Sequence, residues 1–191
     1  MSLDQHRREV DRIDREMLRL LGERLEVARA IGEAKLKSGA PVYAPQREEQ
    51  VLSALVEAAP NIPASGVRSI FREVISLSIG AQMAKPVAYL GPEGSFTQQA
   101  QLRAFGSSVP SLPLRSISDI FAAVESGEAS YGVVPVENST EGVVSHSLDL
   151  LAESELKVVA QVTLAVEQCL VGFGSLDAVT RVLSKDIALA Q

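Results

Sequence analysis

The chain has no tryptophan, one cysteine and two histidines, and only 4% of its 191 residues are aromatic. A lone Cys169 excludes an intrachain disulfide, and nothing points to an oxidising compartment. His6, His146 and that cysteine are too few and too scattered for a zinc site, so no metal is expected. Long apolar runs are missing too. The most apolar region, Val158 to Phe173, is broken by Gln161, Glu167 and Gln168, and no charged-then-apolar leader follows Met1. A cytoplasmic protein without a membrane or nucleic-acid partner is the default expectation.

What is present suits a buried core: 46% hydrophobic residues, 22% charged and a formal net charge of −6. The texture changes near Lys85 and Pro86. Residues 1 to 85 carry 13 Lys and Arg against 12 Asp and Glu, whereas residues 86 to 191 carry 5 against 12. Dense charged helical patterning gives way there to short apolar runs punctuated by Gly, Pro and Ser. Two domains, 1–85 and 86–191, are expected with almost no linker.

The first domain reads as all-α. Val10, Ile13, Met17, Leu20, Leu21, Ala28 and Ile31 recur at three- and four-residue steps, predicting a helix from about Leu3 to Lys37, stopped by Gly39, Ala40 and Pro41. A second helix is predicted from about Gln46 to Ala59 and a third from about Ser65 to Met83. Polar residues interrupt the apolar faces. Arg24 and Lys35 fall within the first stripe, Glu48 at the centre of the second, and Ser78 and Gln82 in line with Phe71 and Val74 on the third. Buried charges find partners or a counter-ion, so these groups imply either an internal network, Arg24 or Lys35 with Glu48 or Asp14, or a bound anion.

Length adds a constraint. A helix roughly 50 Å long exceeds a compact 85-residue domain about 30 Å across, so it is expected to find a partner outside its own chain. Arg7 lies 17 residues before Arg24, roughly 26 Å along the axis, too far to share one small ligand within a chain. Arg24 and Lys35 are only about 16 Å apart, a gap that two long side chains can close.

Arg7, Arg24 and Lys35 on a long helix, then PVYAPQRE with Arg47 and Glu48, then FREVISLSIGAQ with Ser78 and Gln82, resemble the all-helical chorismate mutase family. That resemblance implies an intertwined homodimer rearranging chorismate to prephenate by a pericyclic Claisen shift, with no cofactor. It assigns Arg24 and Arg47 of one chain and Arg7 of the other to the substrate carboxylates. Lys35 and Gln82 fall to the ether oxygen, and Glu48 and Ser78 to the hydroxyl and neighbouring carboxylate region. Ala44 stands where some relatives carry an acid.

Residues 86–191 read as α/β, with strands alternating with helices in an open, largely parallel sheet. PVAYL and YGVVPVE are predicted strands, and KVVAQVTLAVEQCLVG reads as extended. SISDIFAAVESGE and HSLDLLAE are predicted helices, the turn GPEGS opens another with Ser95 or Thr97 near its cap, and KDIALAQ begins a last one. In such sheets ligands sit beyond the carboxyl ends of the strands, where both GPEGS and VVPVENSTEG fall. YLGPEGSFT followed by YGVVPVENSTEGVV resembles the prephenate dehydratase domain, and the domain order resembles the bifunctional P-protein family of phenylalanine biosynthesis. The resemblance implies a two-lobe, periplasmic-binding-protein-like dehydratase fold with Glu137 and Asn138 lining the prephenate site. Ser139 and Thr140 lie nearby, and Gly94, Ser95 and Thr97 form a possible anion-binding turn. Ser184 and Gln191 match a later segment, where Lys185 and Asp186 replace the usual His and Pro. The family's Thr-Arg-Phe segment and its phenylalanine-sensing ACT domain would lie beyond Gln191. Mutase activity with an incomplete dehydratase is therefore the leading expectation. A ligand-binding or regulatory α/β module on a helical dimerisation domain is the alternative, and a purely structural dimer with paired inward charges is the third.

Overall fold

The computed structural model describes residues 2–139, 142–167, 169–175, 177 and 179–184. Thr140, Gln191 and the helical start expected at Lys185 lie outside them.

Three helices come first: α1 (Leu3–Ser38), α2 (Pro45–Ala58) and α3 (Ala64–Gln82). The first has a capping box at its start. Ser2 Oγ accepts from Gln5 N at 3.3 Å while Ser2 N donates to Gln5 Oε1 at 2.7 Å, a pairing worth about 1 kcal/mol. Gly39, at φ 69°, ends it in the left-handed conformation that glycine adopts without strain. Pro45 opens α2, where its missing N–H is no loss.

The two halves of α1 differ sharply. Residues 2–20 are exposed all round, whereas Ala28 and Gly32 are buried against α3. Gly32 lets the two backbones approach closely, since a Cβ there would stand 3.0 Å from Gln82 Cβ and 3.1 Å from Gln82 Cα. The outward arginines form local ion pairs, Arg12 with Glu9 at 2.8 Å and Arg19 with Glu16 at 2.6 Å.

The second half holds β1 (Val87–Leu90), α4 (Phe96–Phe105), β2 (Ser111–Leu114), α5 (Ile117–Glu125) and β3 (Tyr131–Val133). A short hairpin, β4 (Glu137–Asn138) with β5 (Gly142–Val143), precedes α6 (Ser145–Glu153). The main sheet runs β2-β1-β3 with both pairings parallel, in register Val87 opposite Ser111 and Tyr131. Central β1 is fully buried at Val87, Ala88 and Tyr89, as an apolar run covered on both faces requires.

Three sequence expectations change here. Ser111–Leu114 is a strand that the sequence reading left out, because Pro113 breaks the apolar pattern; on an edge strand its missing N–H is tolerated. YGVVPVE is not one strand: pairing with β1 stops at Val133, and Glu137 joins the separate hairpin. The segment read as extended from Lys157 joins no ladder among its described residues, and Val171 and Phe173 stand exposed.

The core crosses the boundary between helical and α/β residues. Tyr43, Leu52, Ile75, Ile79 and Met83 from the first half pack with Val87, Phe105 and Val109 from the second. Tyr43 and Phe105 rings lie 4.5 Å apart, and Tyr131 completes an aromatic triangle at 5.4 and 6.0 Å. A smaller cluster of Ala88, Ile120, Ala123 and Ala129 fills the opposite face of the sheet.

Candidate functional site

A cleft of about 450 Å³ opens between α1, α3 and the start of α2. Arg24, Lys35, Arg47, Glu48, Ser78 and Gln82 all line it, together with Val27, Ala28, Ile31, Val51, Ile75 and Ile79. Periodicity explains the convergence, since Arg24, Ala28, Ile31 and Lys35 follow one face of α1 and Ser78 and Gln82 one face of α3. Ala44 lies on the wall too. Arg7 does not reach this cleft; it sits on the exposed half of α1, 3.6 Å from Asp4.

Within the cleft Arg24 and Lys35 are held by neutral groups. Arg24 Nη1 donates to Ser78 Oγ and, at 3.3 Å, to Val74 O. Lys35 Nζ donates to Val42 O at 3.0 Å, leaving two of its three hydrogens. Gln82 Nε2 donates to Ser78 O at 2.9 Å and keeps a second hydrogen, while Gln82 Oε1 is buried without a partner among the described residues. No salt bridge joins Arg24, Lys35 or Arg47 to a carboxylate among the described residues, so the internal network weighed above is not formed.

Burial lowers the pKa of Arg24 from its ordinary value. Burial also raises that of Glu48, with Arg72 and Lys35 opposing the shift. Three cations, one carboxylate that burial disfavours as an anion and apolar walls make a receptor for a compact anion with an apolar body.

The α/β candidates are grouped less tightly. Ser95 caps α4, its Oγ accepting from Gln98 N at 3.2 Å and donating to Leu90 O at 2.9 Å. Gly94 N donates to Gln98 Oε1 at 2.6 Å, and Thr97 lies half-buried in the first turn. Parallel pairing of β1 and β3 puts this turn and the chain leading to Glu137 and Asn138 at the carboxyl ends of neighbouring strands. Glu137 and Ser139 are exposed and Asn138 is half-buried. Ser184 is exposed in a stretch without regular structure and makes no hydrogen bond to the other candidates among the described residues.

Fold and cleft define the class: a two-part chain, helical then α/β, with a cation-lined cleft in its first part. The family model for chorismate mutase type II matches residues 6–83, and that for prephenate dehydratase matches residues 87–191. A bifunctional chorismate mutase/prephenate dehydratase of Aquifex aeolicus is 40% identical over all of this chain and 54% of its own length. One of Neisseria gonorrhoeae is 42% identical over 97% of this chain and 52% of its own. The X-ray structure of prephenate dehydratase from Streptococcus mutans aligns at 42% identity over 36% of each chain, with a TM-score of 0.34. The chain belongs to the prephenate dehydratase family, with a chorismate mutase type II domain ahead of the dehydratase region. It spans about half the length of the curated relatives it matches. No helix among the described residues is long and apolar enough to cross a membrane.

Proposed function

We propose that this chain is a chorismate mutase working as a homodimer in the cytoplasm, with its domains dividing at residues 85 and 86 and a dehydratase region following the mutase domain. The observation that carries the reading is the single cleft walled by Arg24, Lys35, Arg47, Glu48, Ser78 and Gln82, whose cations lack carboxylate partners among the described residues. A pericyclic rearrangement needs no nucleophile; it is accelerated by interactions stronger in the transition state than in the ground state. Arg24 and Arg47 hold the substrate carboxylates and fold the dianion into its reactive conformer. Charge growing on the breaking ether oxygen meets the free hydrogens of Lys35 Nζ and Gln82 Nε2. Glu48 and Ser78 face the hydroxyl region.

The dimer rests on α1. Residues 2–20 are exposed, with Val10, Ile13, Met17 and Leu20 presenting apolar side chains to solvent. Antiparallel apposition of two such helices buries them and carries Arg7 toward the partner's cleft. In the α/β half, Glu137 and Asn138 line the prephenate site, with Ser139 and the Gly94 to Thr97 turn nearby. Ser184 belongs to the second lobe of that site.

The test is to supply chorismate, follow its loss and identify the product. Prephenate should form. Absence of acceleration overturns the mutase reading, and ligand-induced stabilisation without turnover favours a binding module. Enzyme-dependent phenylpyruvate above the spontaneous breakdown of prephenate shows that these 191 residues suffice for dehydration.

A further inference from the structure

Lys35 is tied to the sheet through a single peptide group. Its Nζ donates to Val42 O at 3.0 Å, and the N–H of that same peptide unit, on Tyr43, donates to Tyr131 Oη at 3.1 Å. A planar trans peptide fixes its carbonyl and N–H in opposite directions, so clamping one end orients the other. The two bonds also polarise each other, each strengthening its neighbour. Among the described residues neither Val42 O nor Tyr43 N has a backbone partner, and the peptide sits in the irregular connection between α1 and α2. Tyr131 therefore supplies the constraint that secondary structure would supply elsewhere. Its ring is fixed by β3 pairing with β1 and by contact with the Phe105 and Tyr43 rings.

We propose that Tyr131, a residue of the α/β half, is a positioning residue for the mutase cleft: its hydroxyl holds the Val42–Tyr43 peptide, and that peptide's carbonyl aims Lys35. The proposal rests on the mutase reading for its kinetic consequence but not for the clamp itself.

Tyr131→Phe keeps the ring and removes only the hydroxyl. In the whole chain it should lower kcat for chorismate about three- to tenfold, the effect of one lost hydrogen bond, with KM within about twofold because the arginines are untouched. In a Lys35→Ala background the same change should alter the residual rate by less than about 1.5-fold, since coupled residues are not additive. Independently of turnover, reductive methylation of Lys35, read by mass spectrometry against Lys37 and Lys85, should be faster in Tyr131→Phe. Unchanged methylation overturns the clamp whether or not the chain consumes chorismate. Faster methylation with wild-type kcat, or an equal loss of kcat in both backgrounds, overturns the positioning role. Faster methylation in a chain that never consumes chorismate leaves the clamp standing and overturns the mutase reading instead.

Discussion

Adding one methyl group at Gly32 should cost far more activity than stability. The helix itself gains, because alanine is better than glycine in a helix interior by about 1 kcal/mol. Packing loses. The new Cβ would lie 3.0 Å from both Cβ and Cγ of Gln82 and 3.1 Å from its Cα, so relief requires α3 itself to move and not merely a side-chain tip. Overpacking of this kind costs about 1–3 kcal/mol, which leaves Gly32→Ala destabilised by about 0–2 kcal/mol. For a chain of this size that lowers the unfolding midpoint by no more than about 8 °C. Gln82 is the residue displaced, and its amide is assigned to the ether oxygen. Removing such a donor outright costs about 100- to 1000-fold, so shifting it by a few tenths of an ångström should lower kcat about tenfold. Gly22→Ala is the matched control: same helix, same substitution, nothing within 4 Å of the new atom. It should raise the midpoint and leave kcat alone. Thermal unfolding by circular dichroism and chorismate loss by absorbance measure the pair. Wild-type kcat in a folded Gly32→Ala would refute the placement of Gln82 beside the reacting bond.

Lys35→Ala should lose about a hundredfold or more in kcat yet stay folded, because the lysine meets one loop carbonyl and otherwise faces the cleft; near-wild-type turnover would remove it from the mechanism. Inactive Arg7→Ala and inactive Arg24→Ala, refolded together, should recover about a quarter of wild-type activity, since half of randomly mixed dimers contain one intact site. Demonstrated mixed dimers without recovery would exclude a site built from two chains. Glu48→Gln tests the buried carboxylate. Burial raises its pKa, so its stabilising contribution is present below the ordinary carboxylate pKa and is lost as pH rises through the raised value. At neutral pH, without ligand, the variant's unfolding midpoint should equal or exceed the wild type's, with the gap closing in acid. A lower midpoint at neutral pH would mean that ionised Glu48 is a net stabiliser.

The helical half was legible because its period is long and repeated. Three stripes at three- and four-residue steps set α1, α2 and α3 to within a residue or two, and the polar interruptions on those stripes lead to one cleft. The α/β half was legible mainly where an element is central or capped. Val87–Leu90 reads as a buried strand because both its faces are covered, and Ser95 announces α4 by its capping side chain. Edge strand Ser111–Leu114 has only four residues and a proline, so its identity comes from β1 beside it and not from its own pattern. Tertiary relations left no local trace. Nothing in the sequence near Lys35 signals Tyr131, 96 positions later, because the link runs through backbone atoms that every residue possesses.

The shared core makes the join between the two halves a graft and not a hinge. Tyr43, Ile79 and Met83 are covered by Phe105 and Val109 from across the boundary, so a change at Phe105 is felt as a defect in the helices. Neither half could be cut away alone without leaving an apolar wound in the other.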